Sequence, residues 1–509
     1  MARVYSKSLT EYSHENGGRV LLLFLLFLLA IYEFVTAGFS AFAIVCAIPI
    51  LIVGAIVIFR WRMTAFWLLF LINYFIQMKG FPTFGLPMSL PNEMLQILLL
   101  GIAIIDARQT PHFERCGNLM LLSLVIWCSF CTIEVLNDTC GLGINVGAWY
   151  AGARMMAFQL LYIFLVFSIY ISSPEVLRKY IIIWALLSLF SAIWTWKQQN
   201  IGMTAAEQRF MNGPGSTTHV LQAGTLIRYF STFSDAANYG CNAAATAVAF
   251  IIFGITTKFK RDRWFFLIVA ALVIKSMFAS GTRTAIFCVF AGIMVYVVLS
   301  KSFKIAIPAM ILGLFAFFIL AFTDIGQGNQ QIRRMRSAFN KNDASSNVRT
   351  INQETMRKYM REAPWGIGLG MGDNVPKNNK YWLMSRIPPD SEYIYIWLRT
   401  GRVGITLFII ITLIMLGGAC FVVMFRLKSP SLVGIGGGLC SAFVAIQLGG
   451  YGNQVLMQYP NCLLFYGGLT IVYILPYLEP AWIESENKRL AKQEERKRLK
   501  LEKKLASRV

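Results

Sequence analysis

The residues from Ile305 to Phe322 read IAIPAMILGLFAFFILAF, an apolar run without a charged side chain. A helix of this length rises about 27 Å, close to the roughly 30 Å thickness of the hydrocarbon core of a bilayer. The runs Val20 to Phe39 and Ala41 to Phe59 are of similar length. Segments of this kind predict helices that cross a membrane.

The composition of the whole chain agrees with this prediction. Of the 509 residues, 56% are hydrophobic and only 14% are charged, and the mean hydropathy is +0.57. Soluble proteins carry about 25% charged residues. The composition therefore excludes a soluble globular enzyme and predicts an all-α polytopic membrane protein.

Apolar windows predict about fourteen transmembrane helices, of which the third, fourth and ninth are short enough to be re-entrant instead. The windows are roughly 19–38, 41–59, 63–78, 92–106, 117–135, 148–172, 178–196, 236–256, 264–279, 284–300, 304–323, 404–426, 431–449 and 458–478. The resulting organisation is N-terminal helices over 1–196, a loop over 197–235, helices over 236–323, a large loop over 324–391, C-terminal helices over 392–478 and a basic tail over 479–509.

The net charge of +22 is interpreted as membrane topology and anion binding, and no nucleic-acid partner is expected. With a cytoplasmic N-terminus, every short basic connection falls on the cytoplasmic side, as the positive-inside rule requires. These connections are 60–62, 258–263, 301–304, 426–428 and the tail from 484. Both termini are therefore predicted to be cytoplasmic. The tail predicts a helix over 488–505, which either docks on anionic lipid headgroups or is simply solvated.

The two long loops then lie outside the cytoplasm. The loop over 324–391 contains aromatic and apolar residues, which predicts that it is folded, and eleven Lys and Arg against six Asp and Glu. Long loops cross membranes regardless of their charge. The alternative is that this surplus of cations handles an anionic substrate on the outer face.

Four short motifs lie where predicted loops meet predicted spans. They read RYFSTFSDAANYG at 228–240, SGTRTA at 280–285, PWGIGLG at 364–370 with Arg349 upstream, and DSEYIYIWLRTGRVG at 390–404. The glycine run from 366 to 372 lacks the lysine and hydroxyl of a nucleotide-binding loop. We interpret it as a tight folded turn.

Several basic residues near these motifs are candidates for anion binding. Arg283 precedes a span, where its charge opposes the helix dipole, so either an anion bound to Arg283 and the helix amides relieves the conflict or the arginine snorkels to the interface. Arg228 has the same two interpretations. Lys275 and Arg154 lie inside predicted spans, where charged residues are functional candidates. The scattered cysteines and three histidines show no metal-ligand spacing, and no metal or other cofactor is expected.

Taken in order, the four motifs resemble the O-antigen ligase/polymerase superfamily of bacterial GT-C-type membrane glycosyltransferases, over about residues 220–425. The resemblance implies an enzyme that takes a glycan from an undecaprenyl-diphosphate-linked donor at the outer face of the cytoplasmic (inner) membrane. The glycan acceptor would be another lipid-linked repeat (polymerase) or lipid A core (ligase), with a chain-length regulator as an optional further partner. In this family arginines bind the diphosphate, and Arg228 and Arg283 stand at the matching positions, while Arg349 matches a third recurring arginine.

The implied chemistry suits these residues. Arginines can neutralise a diphosphate leaving group without a metal, and the acceptor hydroxyl needs a general base. Family ligases carry His-Asn where this chain has Asp390-Ser391, so Asp390, with Glu392 beside it, is either the base or a helix N-cap. His219 is an alternative base or a structural residue. The departure favours a polymerase over a ligase, and a transporter or flippase of lipid-linked glycans is the alternative of another class.

Overall fold

The computed structural model describes residues 17–37, 49, 52–54, 56–57, 60–81, 89–106, 113–221, 226–301, 303–336, 344–372 and 375–506. Most of the predicted span over 41–59 lies outside these residues. The chain forms two compact units, Met1–Ala65 and Phe66–Val509. The first unit contains helix α1, Gly17–Ala37. The functional motifs all belong to the second unit.

The chain is mostly helical, at 78%, which confirms the predicted all-α class. The helices that follow α1 are α2 (Arg62–Phe75), α3 (Leu90–Ile105), α4 (Leu119–Ile133), α5 (Val146–Ala153), α6 (Gln159–Tyr170), α7 (Pro174–Asn200), α8 (Ala205–Asn212), α9 (Ser216–His219), α10 (Ala236–Thr256), α11 (Lys260–Ala279), α12 (Thr284–Leu299), α13 (Phe303–Phe322), α14 (Gln330–Arg336), α15 (Ala344–Met360), α16 (Glu392–Phe421), α17 (Pro430–Gly452) and α18 (Gly467–Ala506). Two short antiparallel strands, β1 (Val220–Leu221) and β2 (Leu226–Ile227), pair with each other.

Among the described residues, seven helical segments are long and apolar enough to cross a membrane. They are Leu119–Leu136, Val146–Tyr170, Pro174–Asn200, Ala236–Thr256, Glu392–Arg426, Pro430–Gly452 and Cys462–Leu499. Helices α2, α3 and α12 are apolar but shorter. The protein is thus a multi-pass membrane protein, while the predicted count of about fourteen spans is not confirmed.

Helix α10 is a largely buried helix that begins at the first motif. Asp235 caps its first turn by accepting hydrogen bonds from the amides of Ala237 and Asn238, at 2.8 and 2.9 Å. Its run of small residues from 243 to 245 is buried, and small side chains allow close approach between membrane helices. Helices α11, α12 and α17 accordingly pack around it.

The basic connections of the second unit lie at one end of the helices, which we call the basic end. Lys258 Nζ lies 2.7 Å from Glu486 Oε2 in the tail. Lys301 Nζ donates to the carbonyl of Leu427 at 3.2 Å. Because chain direction alternates, the starts of α10, α12 and α16 and the ends of α11 and α17 lie at the opposite end. We call this the motif end.

The chain between α15 and α16 is folded around a small hydrophobic cluster. Met356, Met360, Ile367 and Met384 are all buried in it, together with Leu398 of α16. This cluster fixes α15 and the glycine run to the start of α16.

Candidate functional site

The first and second motifs form one interlocked unit at the motif end. Arg228 donates through Nε to the carbonyl of Ser280 at 3.1 Å and through Nη2 to Thr282 Oγ1 at 3.2 Å. Its Nη1 donates to the carbonyl of Thr218 at 3.0 Å. Gly281, at φ +59°, lies under the arginine side chain. The guanidinium thus holds the turn between α11 and α12 against the preceding loop.

The start of α10 packs on the same turn. Thr282 Oγ1 donates to the carbonyl of Ala236 at 2.7 Å. A Cβ at Gly240 would overlap the side chains of Ser280 and Thr282. The glycine of the first motif is therefore required by the close approach of the second motif.

Three other arginines act electrostatically on Arg228 at this turn. Burial lowers the pKa of Arg228 to about 10; Asp235 opposes the shift, and the positive charges of Arg334, Arg283 and Arg349 lower the pKa further. Like charges disfavour the charged form of a group only when they lie near it. We call Arg228, Arg283, Arg334 and Arg349 the arginine cluster.

The cluster brings together three of the predicted anion-binding residues from distant parts of the sequence. Arg334 is a fourth member that sequence reasoning missed, because nothing set it apart from the other cations between 324 and 391. An anion bound here would offset the repulsion that the other three guanidinium groups exert on that of Arg228.

Arg283 occupies the N-cap of α12, as predicted from its place before an apolar run. The helix amides are less available than expected. The amide of Ala285 donates to the carbonyl of Thr282 at 3.2 Å, and that of Ile286 to the carbonyl of Arg283 at 3.3 Å. The expectation of free helix amides is therefore wrong for Ala285 and Ile286, whose amides already donate within the chain.

The third and fourth motifs form a second interlocked unit. Gly366 and Gly401 have φ of +86° and +65°, and a Cβ on either would overlap the backbone of the other segment. The amide of Ile367 donates to the carbonyl of Leu398 at 2.8 Å. This geometry confirms the interpretation of the glycine run as a tight turn.

A polar segment between α17 and α18, residues 453–461, connects the two interlocked pairs of motifs. Asn453 Nδ2 donates to Thr284 Oγ1 at 3.2 Å, beside Arg283. Gln458 Oε1 accepts from Asn238 Nδ2 at 2.9 Å and from the hydroxyl of Ser234. Sequence reasoning did not single out this segment. Its signal was a group of Asn and Gln residues between two apolar spans.

Glu392 holds this segment from the other side. It is 2% exposed, and its Oε2 accepts from the amide of Leu456 at 2.9 Å. Glu392 also lines a cavity of about 360 Å³ together with Arg154, Gln77, Tyr395 and Gln458. Of the predicted residues, Glu392 and Arg154 thus line this cavity, whereas Arg228, Arg283 and Arg349 belong to the arginine cluster.

Arg154 belongs to the cavity and has a carboxylate partner. Its Nη1 lies 3.8 Å from Glu93 Oε2. Lys275 is exposed on α11 and is not among the charges that act on Arg228. The roles predicted for Arg154 and Lys275 in binding the diphosphate stay predictions.

Asp390 does not cap α16, so that interpretation is wrong. The N-cap is Ser391, whose hydroxyl donates to the carbonyl of Gly450 at 3.1 Å. Asp390 precedes it at φ +53°, a left-handed conformation that is unusual for a residue with a side chain. Its carboxylate forms no hydrogen bond or ion pair with the part of the chain that the structure describes.

His219 has a structural role. It is buried, and its Nε2 accepts from the amide of Ala236 at 3.1 Å. Burial and the charge of Arg228 lower its pKa to about 4. The imidazole is therefore neutral at pH 7 and holds the start of α10.

No group of three His, Cys, Asp or Glu side chains within the described ranges could hold a metal ion. Residues 268–409 match a family model described as O-antigen ligase. This range contains three members of the arginine cluster and the second, third and fourth motifs, whereas the first motif, with Arg228, and the 453–461 segment lie outside it. No curated protein matches the chain.

Proposed function

We propose that this protein, a member of the O-antigen ligase/polymerase superfamily, polymerises a surface polysaccharide. In this proposal it transfers a growing glycan from an undecaprenyl-diphosphate donor to a lipid-linked acceptor. The reaction takes place at the outer face of the bacterial cytoplasmic membrane. The family match supports a ligase or polymerase type of function, and the donor, the acceptor and the membrane face are the proposed part.

The arginine cluster is the observation that carries the proposal. Negative charge develops on the diphosphate as the glycosidic bond breaks, and preorganised cations stabilise such charge most when it appears. Arg228 uses three of its five N–H groups within the protein, two on Ser280 and Thr282 of the turn and one on the carbonyl of Thr218. The other two can donate to a phosphate. Arg283, Arg334 and Arg349 supply the rest of the positive charge.

Asp390 is proposed as the general base that accepts the proton of the acceptor hydroxyl. The start of α16 and the start of α12 both attach to the end of α17, through Ser391 to Gly450 and through Asn453 to Thr284. The carboxylate of Asp390 and the guanidinium of Arg283 are thereby held on neighbouring elements. Glu392, which accepts the amide of Leu456, is proposed to position the base and the 453–461 segment.

A ligase is the second candidate, because the matching family model is described as O-antigen ligase. The polymerase is preferred because Asp390-Ser391 replaces the His-Asn pair that the resemblance associates with ligases. The acceptor alone distinguishes the two functions.

Reconstitution in liposomes tests both functions. The purified protein would be given a defined undecaprenyl-diphosphate oligosaccharide, with and without lipid A core. We expect release of undecaprenyl diphosphate and a ladder of longer glycans without lipid A. Release that depends on lipid A would identify a ligase, and no release with either acceptor would refute transferase activity.

Arg283→Gln separates catalysis from transport in the same system. Loss of one stabilising donor typically costs 10²- to 10³-fold in rate, so we expect transfer to fall by about that factor. In cells, lipid-linked units should then accumulate on the outer leaflet. Accumulation on the inner leaflet would indicate a flippase instead.

A further inference from the structure

A second cavity lies at the basic end, far along the helices from the arginine cluster. It encloses about 690 Å³ between α7, α10, α11, α17 and the C-terminal half of α18, within the range of roughly 300–1,000 Å³ that is typical of ligand sites. Apolar side chains from the spans form its walls. They include Ile182, Leu186, Phe253, Phe265, Phe266 and Ile435.

The mouth of this cavity is basic. Arg178, Arg261, Arg489, Lys492 and Arg496 line it, against the two carboxylates Asp262 and Glu486. Both carboxylates already have cationic partners, because Arg489 Nη2 lies 3.0 Å from Asp262 Oδ2 and Lys258 Nζ lies 2.7 Å from Glu486 Oε2. The remaining cations leave the mouth with a net positive charge.

Arg178, at the mouth of the cavity, has hydrogen-bond donors that lack acceptors. Its Nη1 donates to Ser485 Oγ at 2.7 Å, and its guanidinium lies 4.5 Å from the ring centroid of Trp482. Its Nε and Nη2 are buried and have no acceptor in the described part of the chain. The protein therefore supplies donors here without supplying matching acceptors.

We propose that this cavity binds one anionic phospholipid from the leaflet at the basic end. The acyl chains would lie along the apolar walls, and the phosphate would be held at the basic mouth. Basic pockets between membrane helices at the cytoplasmic side suit anionic lipid headgroups, and guanidinium groups bind phosphate bidentately. This site is independent of the proposed transfer reaction.

The tail of α18 forms part of the site. Arg489 stacks 4.1 Å from the ring centroid of Phe259 and pairs with Asp262 of α11. A bound lipid would therefore join α7, α11 and the tail at one place. Of the two interpretations of the tail from the sequence, this arrangement extends docking on anionic lipid headgroups by adding apolar walls for the acyl chains.

The test measures thermal unfolding of the full-length protein in neutral detergent while lipid is added. The probes are dioleoylphosphatidylglycerol, dioleoylphosphatidylcholine and glycerol phosphate without acyl chains. We expect saturable stabilisation by phosphatidylglycerol alone. Equal stabilisation by phosphatidylcholine would overturn the role of the phosphate charge, and stabilisation by glycerol phosphate would overturn the role of the chains.

Matched variants on the tail test the location. Lys492→Gln with Arg496→Gln removes two cations from the mouth, and we expect phosphatidylglycerol to bind roughly tenfold more weakly. The control, Lys497→Gln with Arg498→Gln, removes the same charge from neighbouring exposed positions that do not line the cavity, and it should leave affinity unchanged. Equal loss in both variants would show a non-specific attraction of the tail and overturn the proposal.

A second pair tests the apolar walls without changing charge. Ile182→Trp enlarges a wall residue, whereas Ile193→Trp alters an exposed position on the same helix outside the cavity. Loss of phosphatidylglycerol binding in Ile182→Trp but not in Ile193→Trp would support the placement of the acyl chains in the cavity. Unchanged binding in Ile182→Trp would overturn that placement.

Discussion

The buried imidazole of His219 makes the loop beneath the arginine cluster sensitive to acid. Its pKa falls from an ordinary value of 6.5 to about 4, first because of burial and then because of Arg228. Between these values the unfolded loop binds a proton that the folded loop does not. The stabilisation from the neutral imidazole is therefore complete above about pH 6.5 and is lost as the pH falls towards 4.

The size of the effect follows from this shift. Between pH 7 and pH 5 the local free energy of unfolding should fall by about 2 kcal/mol, since each pKa unit corresponds to about 1.36 kcal/mol. This change corresponds to a roughly twentyfold larger open population. The carbonyl of His219 also accepts the amide of Arg228 at 2.8 Å, so opening the loop would release one anchor of the cluster.

Hydrogen exchange of peptides from 204 to 236 measures this population directly. After correction for the chemical exchange rate, we expect roughly twentyfold faster exchange at pH 5 than at pH 7. The control is His219→Gln, whose amide oxygen can accept the amide of Ala236 but does not titrate. This variant should show the same protection at both pH values.

Two results would refute the reasoning. Equal protection of the wild-type loop at pH 5 and pH 7 would mean that burial does not depress the pKa of His219. Persistence of the full acid effect in His219→Gln would assign it to another group.

Three further predictions concern the motif end. Arg349→Gln should lower the rate of glycan transfer by about 10- to 100-fold because it removes one charge from the cluster. The control Arg357→Gln, at an exposed position on the same helix, should leave the rate unchanged. Equal rates in the two variants would show that Arg349 has no part in transfer. Gly401→Ala should lower the unfolding temperature, or prevent folding, because the residue has φ +65° and meets the backbone of the glycine run. The control Gly417→Ala, with open space around the glycine, should be neutral or stabilising. Similar melting curves for the two variants would contradict the close approach of the two segments. Asp390→Asn should reduce transfer by about 10²- to 10⁴-fold with unchanged donor binding, measured by single-turnover release of undecaprenyl diphosphate, and a normal rate would remove Asp390 as the base.

Much of the local architecture was readable from the sequence, because local patterns encode it. Apolar runs of bilayer length predict helices, since a backbone in lipid must satisfy its own hydrogen bonds. The position of Arg283 before such a run placed it at the N-cap of α12, as the structure confirms. The glycine run lacks the lysine of a nucleotide-binding loop and was predicted to be a turn. Gly401 of the next motif packs directly against this turn.

The partners of the polar groups were decided by packing between distant residues. Ser391 rather than Asp390 is the N-cap residue of α16, and its hydroxyl donates to the carbonyl of Gly450 in α17. The polar 453–461 segment contacts residues of the motifs 64 to 224 positions earlier in the chain, and no periodicity reveals such a pairing.

The sequence alone therefore determined that this chain is a helical membrane protein and which motifs it carries, because hydropathy acts over a few neighbouring residues. Only the tertiary structure decided that Arg334 joins Arg228, Arg283 and Arg349, and that Arg154, which lines a separate cavity, pairs with Glu93. Electrostatic interactions depend on distance in space. The distances between residues far apart in sequence are set only when the helices pack.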